Sequence, residues 1–220
     1  MKFENIAQLP APVLPAMESD GLIKVKDLVS PIAVYCTAQG IIKENDSFEL
    51  MINGHHTGVI QIISEPWSQN RVEFSFDMRP DFFAEDGEYT IGYQWLASPG
   101  GSRSNSSTTT IRIDRTAPGS TLLAAIIFPH FNYGEVLSGV IPGYADMQVG
   151  DSIQTLCNGV AGPVHIVIAE DLTERPPHIS FTREFLQGLD SENVTFTYQV
   201  SDRAGNASVM AQRVEMSMQR

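Results

Sequence analysis

The chain has 220 residues, 42% of them hydrophobic and 18% charged, with a formal net charge of −12. At about 100–200 residues per domain this is one or two domains with a real core, and the apolar content excludes a disordered chain. The charge excludes nucleic acid and anionic membrane surfaces as partners, and no apolar run reaches the ~18–20 residues that span a bilayer, so no membrane insertion is expected.

Residues 1–21, MKFENIAQLPAPVLPAMESDG, hold no apolar core of signal-peptide length, so no Sec leader is visible. Leu22–Val25 reads as an opening strand. Ser47–Ile52, Gly58–Ser64 and Val72–Met78 follow as strands, and Asn53-Gly54 as a tight turn after the first of them. Glu88–Trp95 alternates with period two. One face carries Tyr89, Ile91, Tyr93 and Trp95, the other Glu88, Thr90, Gly92 and Gln94, as a half-buried antiparallel strand requires. Ser102–Thr110 is a Ser/Thr-rich connection, and Thr109–Ile113 closes the first half. Leu122–Ile127 then opens the second, followed by strands at Ser152–Cys157, Pro163–Ala169 and His178–Thr182, with Asn158-Gly159 as the matching turn. Phe181–Leu189 is the one helix-like window and reads as a short helical turn. Asn193–Val200 alternates again, with Val194, Phe196, Tyr198 and Val200 on one face, and Val214, Met216 and Met218 close the chain. The core residues expected from these faces are Phe76, Tyr89, Tyr93 and Trp95 in the first half, and Phe181, Phe196 and Tyr198 in the second.

The two halves repeat each other. Without gaps, Asp46-Ser47 falls on Asp151-Ser152, 105 positions on. The same shift places Asn53-Gly54 on Asn158-Gly159, Val59 on Val164 and Ser75-Phe76 on Ser180-Phe181. Thr90, Tyr93-Gln94 and Gly100 likewise meet Thr195, Tyr198-Gln199 and Gly205. The expected domains are 1–115 and 116–220, joined near Arg115–Gly119. Their charges agree: 9 Lys and Arg against 15 Asp and Glu in the first, 5 against 11 in the second.

About seven short strands per hundred residues, with turns between, describe an all-β chain of two β-sandwiches. Three stretches carry a resemblance. Asp86-Gly87-Glu88-Tyr89 resembles the D-G-x-Y turn into strand F. Ser201-Asp202-Arg203-Ala204-Gly205-Asn206-Ala207-Ser208 resembles the D-x-A-G-N-x-S turn between strands F and G. Ile113-Asp114-Arg115-Thr116-Ala117-Pro118 resembles the D-x-T-A-P join between modules. On these residues the chain is similar to tandem bacterial immunoglobulin-like domains of surface and adhesin-type repeat proteins. The resemblance implies two immunoglobulin-like sandwiches end to end. Ser98-Pro99-Gly100-Gly101 and Val194 depart from the motifs. Position 91, where vertebrate immunoglobulin domains carry their second cysteine, is Ile, so packing alone must hold each domain.

Candidate chemistry is sparse. Cys36 and Cys157 fall at non-equivalent positions in different halves and read as free thiols. His55-His56 follow a turn, where a zinc site would need a third or fourth ligand that the nearby sequence does not supply, so they read as an exposed pair and a binding candidate. Trp67, in Glu65-Pro66-Trp67-Ser68, reads as a loop aromatic able to contact a protein or glycan. The carboxylates of Asp81, Glu85, Asp86 and Glu88, and of Glu170, Asp171 and Glu174, lack the D-x-D-x-D-G spacing of a calcium loop and read as solvated charge. Asp114 and Asp202 leave calcium at the domain junction as the one cofactor option; otherwise none is expected. Asn105-Ser-Ser, Asn193-Val-Thr and Asn206-Ala-Ser match the N-glycosylation pattern by accident. No G-x-S-x-G elbow, phosphate loop or H-E-x-x-H occurs, so no catalytic residue is assigned and no enzyme is expected.

The expected function is a non-catalytic binding or spacer module of a bacterial surface or secreted, adhesin-like protein, reached by a route other than an N-terminal Sec signal. Its partner would be a protein or glycan, and the module monomeric or part of a longer repeat array. The alternatives are an intracellular or contact-delivered accessory domain of a toxin or secretion apparatus, in which case the protein is cytoplasmic, and a carbohydrate-binding module.

Overall fold

The computed structural model describes residues 9–64, 71–129, 135–173 and 175–218. The chain divides into two compact units, Met1–Arg115 and Thr116–Arg220. Each is an immunoglobulin-like β-sandwich.

The first unit carries β1 (Leu22–Ile23), β2 (Ile32–Gln39), β3 (Ser47–Ile52), β4 (His55–Ile62), β5 (Arg71–Met78), β6 (Gly87–Leu96), β7 (Arg103–Asn105) and β8 (Thr109–Ile113). One sheet runs β1-β8-β6-β3-β4, with β7 also paired to β6; β2 and β5 form the other. Val13 bridges to Tyr35 of β2, while β1 lies parallel to β8. The opening segment therefore crosses from one sheet to the other. Short 3-10 turns stand at Val25–Val29 and Pro80–Phe82.

The second unit carries β9 (Val136–Val140), β10 (Ser152–Cys157), β11 (Val160–Ile166), β12 (His178–Thr182), β13 (Asn193–Ser201) and β14 (Val214–Ser217). Its sheets are β11-β10-β13-β14 and β12-β9. Two short helices, α1 (Ala169–Thr173) and α2 (Arg183–Gly188), lie in its connections.

The period-two faces account for both cores. Phe76, Ile91 and Tyr93 are buried in the first, and Phe181, Val194, Phe196, Tyr198 and Val200 in the second. Tyr89 and Trp95 pack against the first core but remain half-buried. Each central tyrosine also ties its sandwich across the layers. Tyr93 O–H donates to the carbonyl of Thr37 at 2.6 Å, and Tyr198 O–H to that of Ala124 at 2.9 Å. Both turns after β3 and β10 adopt the left-handed pair that a two-residue hairpin needs, with φ of 51° and 75° at Asn53-Gly54 and 50° and 80° at Asn158-Gly159.

The corners before strands β6 and β13 differ. Tyr89 O–H donates to the carbonyl of Glu85 at 2.8 Å, the arrangement of an immunoglobulin tyrosine corner, and its ring meets buried Phe83 edge-on. At the matching position the second unit has Val194. There α2 covers the corner instead, capped by the Thr182 hydroxyl accepting from Phe185 N–H and inserting Leu186 into the core. The helix lies inside the Phe181–Leu189 window.

Several boundaries need correction. Leu122–Ile127 is no strand; only Ile127 bridges, to Val140. The strand opened at Leu22 ends at Ile23, and Val25 already belongs to the 3-10 turn. β4 and β11 start at His55 and Val160, immediately after their turns, rather than at Gly58 and Pro163, and Ala169 belongs to α1. Ser102–Thr110 contains β7. β2 and β9 are strands that the reading in chain order passed over.

Replacing Tyr198 with Ala removes a fully buried ring and is expected to cost the second unit ~3–5 kcal/mol in denaturant unfolding. Tyr198→Phe keeps the ring and leaves the Ala124 carbonyl unpaired, at ~1–2 kcal/mol. Tyr93→Ala should act alike on the first unit, and a loss below ~1 kcal/mol would mean the ring does not anchor the core.

Candidate functional site

Among the described residues β4 and β11 end their sheets, so each leaves one backbone edge outside the ladder. Ile63 N–H and Val167 N–H donate inward to the carbonyls of Asp46 and Asp151. Strand alternation then turns the backbone groups of Ile60 and Ile62, and of Val164 and Ile166, outward. Their side chains are also exposed, at 53%, 59%, 51% and 51%. Ile168, just past β11, and Leu172 of α1 are exposed as well. Exposed β-branched residues along an open edge are a surface for pairing.

Each edge is shaped by a bulge beside its turn. In β4 the extra residues present Gly58 N–H, which donates to Glu49 Oε1 at 3.0 Å, while Glu49 Oε2 pairs with His56 Nδ1 at 2.8 Å. In β11 the bulge carries Pro163, which has no N–H to offer. Position 154, equivalent to Glu49, is accordingly Gln: its Nε2 donates to the Gly162 carbonyl at 2.9 Å. Acceptor and donor have exchanged places along with the backbone group they serve. The second bulge is also one residue shorter. Glu49 pairs with Ile60 but Gln154 with Val164, so Val59 and Val164, aligned in the ungapped comparison, are not structural equivalents.

This places the predicted binding residues. His55 and His56 open β4 and are exposed, but as consecutive strand residues their rings face opposite ways, and His56 is engaged by Glu49. Trp67 lies outside the described residues. Cys36 and Cys157 are buried in the cores of separate units, and burial pushes both thiols up to about 12, which leaves them unreactive. Asp81 pairs with Arg79, and Asp86 accepts the Arg115 N–H at 2.6 Å. Asp202 accepts from Asn206 N and Nδ2. Among the described residues no three His, Cys, Asp or Glu are grouped to hold a metal, and no helix is long and apolar enough to cross a membrane.

The reading of Asp171 as solvated charge needs correction, because it belongs to a cluster that sequence reasoning missed. His165, facing inward on β11, pairs through Nε2 with Asp171 Oδ2 at 2.7 Å. The same oxygen accepts Ile168 N–H at 2.9 Å, so Asp171 caps α1 from its third position. Burial pushes the Asp171 carboxyl up, but the Ile168 N–H, the His165 ring and the charge of His178 outweigh it and hold it below the usual carboxylate range. These residues, with Glu170 and Arg175, line a cleft of about 340 Å³ whose lining holds no Ser, Thr or Cys nucleophile. The arrangement clasps a helix to an edge strand. The signal was present in the sequence as a carboxylate three residues after a helix start, with a histidine on the preceding strand.

No family model matches the sequence, and no curated protein matches it. Among solved structures the chain is similar to one concerned with host cell surface retention of a 1.5-MDa bacterial ice-binding adhesin, at 17% identity and a TM-score of 0.51. That likeness covers 98% of this chain and 65% of the other, so the chain spans less than two thirds of its length. It is also similar to fibronectin(III)-like modules of Clostridium thermocellum CbhA, at 13% identity and a TM-score of 0.42, covering 97% and 94% of the two chains. The adhesin likeness bears on the fold.

Glu49→Ala strands the Gly58 N–H and should cost the first unit ~1–2 kcal/mol by chemical denaturation, and Gln154→Glu, which sets a carboxylate against the Gly162 carbonyl, should cost the second a similar amount. Because the folded carboxyl of Asp171 is lowered, its contribution is full above the ordinary carboxylate range and is lost as pH falls through the lowered value. Asp171→Asn should therefore flatten the acid limb of the second unit's stability curve. Equal slopes in the two proteins would dismiss the clasp.

Proposed function

We propose that the chain is a non-catalytic immunoglobulin-like binding and spacer module of a bacterial surface protein. The observation that carries this reading is the open apolar edge formed in each unit, at Ile60 and Ile62 and at Val164 and Ile166. Single exposed apolar residues are ordinary on a protein surface. A β-branched pair at structurally matching places in two diverged sandwiches, each beside a bulge held by different chemistry, is a kept feature. Its chemistry suits an added strand: outward backbone groups supply the hydrogen bonds and the alternate side chains supply selectivity. The fold likeness to a structure concerned with surface retention of a bacterial adhesin supports the setting. The net charge of −12 keeps such a surface soluble and discourages copies from pairing with each other.

Protease treatment of intact source cells, followed by fractionation and immunodetection, tests the placement. Loss of the protein from intact cells is the expected result. Full protection, with the protein recovered in the cytosolic fraction, would end the surface reading and direct attention to an intracellular partner.

A further inference from the structure

The outer face of the β2-β5 sheet carries a hollow of about 230 Å³ in the first unit. Its construction follows from the alternation of β2. Ile32, Val34 and Cys36 point into the core, so Ala33 and Tyr35 point out. Ala33 is small and leaves a gap beside the Tyr35 ring, which is 53% exposed. Pro31 extends the row on one side. The segment bridged to Tyr35 through Val13 brings Pro15 and Ala16 along the other. These apolar walls are stiff, because proline fixes the backbone that bears it. The 3-10 turn Val25–Val29 sets Asp27 into the lining.

Asp27 is half-buried, and among the described residues its carboxylate has no hydrogen-bond or ion-pair partner; Lys26, its neighbour in sequence, does not pair with it. Asp77 stands opposite Ala33 in the ladder and adds a second negative charge to the same face. A half-buried carboxylate without a partner keeps its lone pairs open to the N–H groups of a cation. The exposed Tyr35 ring lines the same hollow, and an aromatic ring attracts a cation. A planar guanidinium satisfies both groups at once, donating two parallel bonds to the carboxylate and stacking on the ring, while its methylene stem lies on proline. An ammonium is a more strongly hydrated point charge and uses the flat ring less well. The second unit has Ser138 at the ladder position of Tyr35, opposite Ser180 as Tyr35 is opposite Ser75, so the aromatic wall of the hollow belongs to the first unit.

We propose that this hollow is a subsite for an arginine side chain of a partner protein, bound between Asp27 and Tyr35. It rests on the reading of the chain as a binding module but does not depend on where the module resides, so cell-surface protection and loss of this subsite are separate outcomes. The net charge of −12 favours the approach of a basic partner over long range.

Amide NMR of the full chain, titrated with Nα-acetyl-L-arginine methylamide, tests the proposal directly. Saturable shifts are expected at Asp27, Ala33 and Tyr35. The lysine analogue should bind several-fold more weakly, the glutamine analogue should not bind, and affinity should fall as salt rises. Asp27→Asn should weaken arginine binding by about tenfold, Tyr35→Ala should abolish it, and Tyr35→Phe should retain it. No saturable shift with the arginine probe would overturn the subsite. So would equal binding of the glutamine analogue, or saturation by methyl pyranosides in place of arginine, which would make the hollow a sugar site.

Discussion

One buried aspartate in each unit organises the rest of its sandwich. Asp46 and Asp151 are each 1% exposed at the entrance to β3 and β10. A carboxylate so placed must be fully served by hydrogen bonds or the unit does not close. Asp46 accepts from Lys43 N–H at 2.9 Å, from the Trp95 indole at 3.1 Å and from Ser98 N–H at 2.8 Å. Its own carbonyl accepts Ile63 N–H. A single residue thus fastens the loop before β3, the end of β6, the turn beyond it and the end of the edge strand. Asp151 does the same with Gln148 N–H, the Tyr144 hydroxyl and Val167 N–H. Burial is the larger influence on its carboxyl and pushes it up, and the Tyr144 phenol is pushed up by burial and by the same pairing.

The units keep geometry while exchanging chemistry. The aromatic donor to the aspartate is Trp95 from β6 in one unit and Tyr144 from a loop in the other. Trp95 must reach the carboxylate, which is why it stands at the rim of the core and not inside it. The bulge is held by Glu49 where the backbone offers an N–H, and by Gln154 where proline has removed it. Tyr89 closes one corner and α2 the other. In each case the constraint is an unsatisfied backbone group or an open end of the core, and more than one side chain answers it.

What was legible in the sequence follows from this. β6 and β13 were readable because one face of each packs on its core, and a one-residue slip there would turn every aromatic on it outward. The Asn-Gly turns were readable because few residues tolerate positive φ twice in succession. β9 was hard to see because Gly139 stands at a core position: a Cβ there would come within 2.6 Å of Ile126, so the pattern shows a gap where the structure has tight packing. The edge strands were misplaced because neither face of β4 is fully buried and alternation fades. The one-residue difference between the bulges is invisible to an ungapped comparison. The hollow beside Tyr35 depends on which segment crosses beside β2, a long-range pairing that no local pattern encodes.

The two Asn-Gly turns also bear on how the protein ages. In a loose chain such a pair is prone to spontaneous loss of ammonia, because the glycine nitrogen can attack the asparagine side-chain carbonyl and close a succinimide ring. Here the side chain is tethered: Asn53 Oδ1 accepts Thr90 N–H at 2.8 Å, and Asn158 Oδ1 accepts Thr195 N–H at the same distance. Ring closure must first break that bond and swing the amide out of the sheet. The threonines opposite the turns are therefore guardians of covalent integrity as well as partners in the ladder.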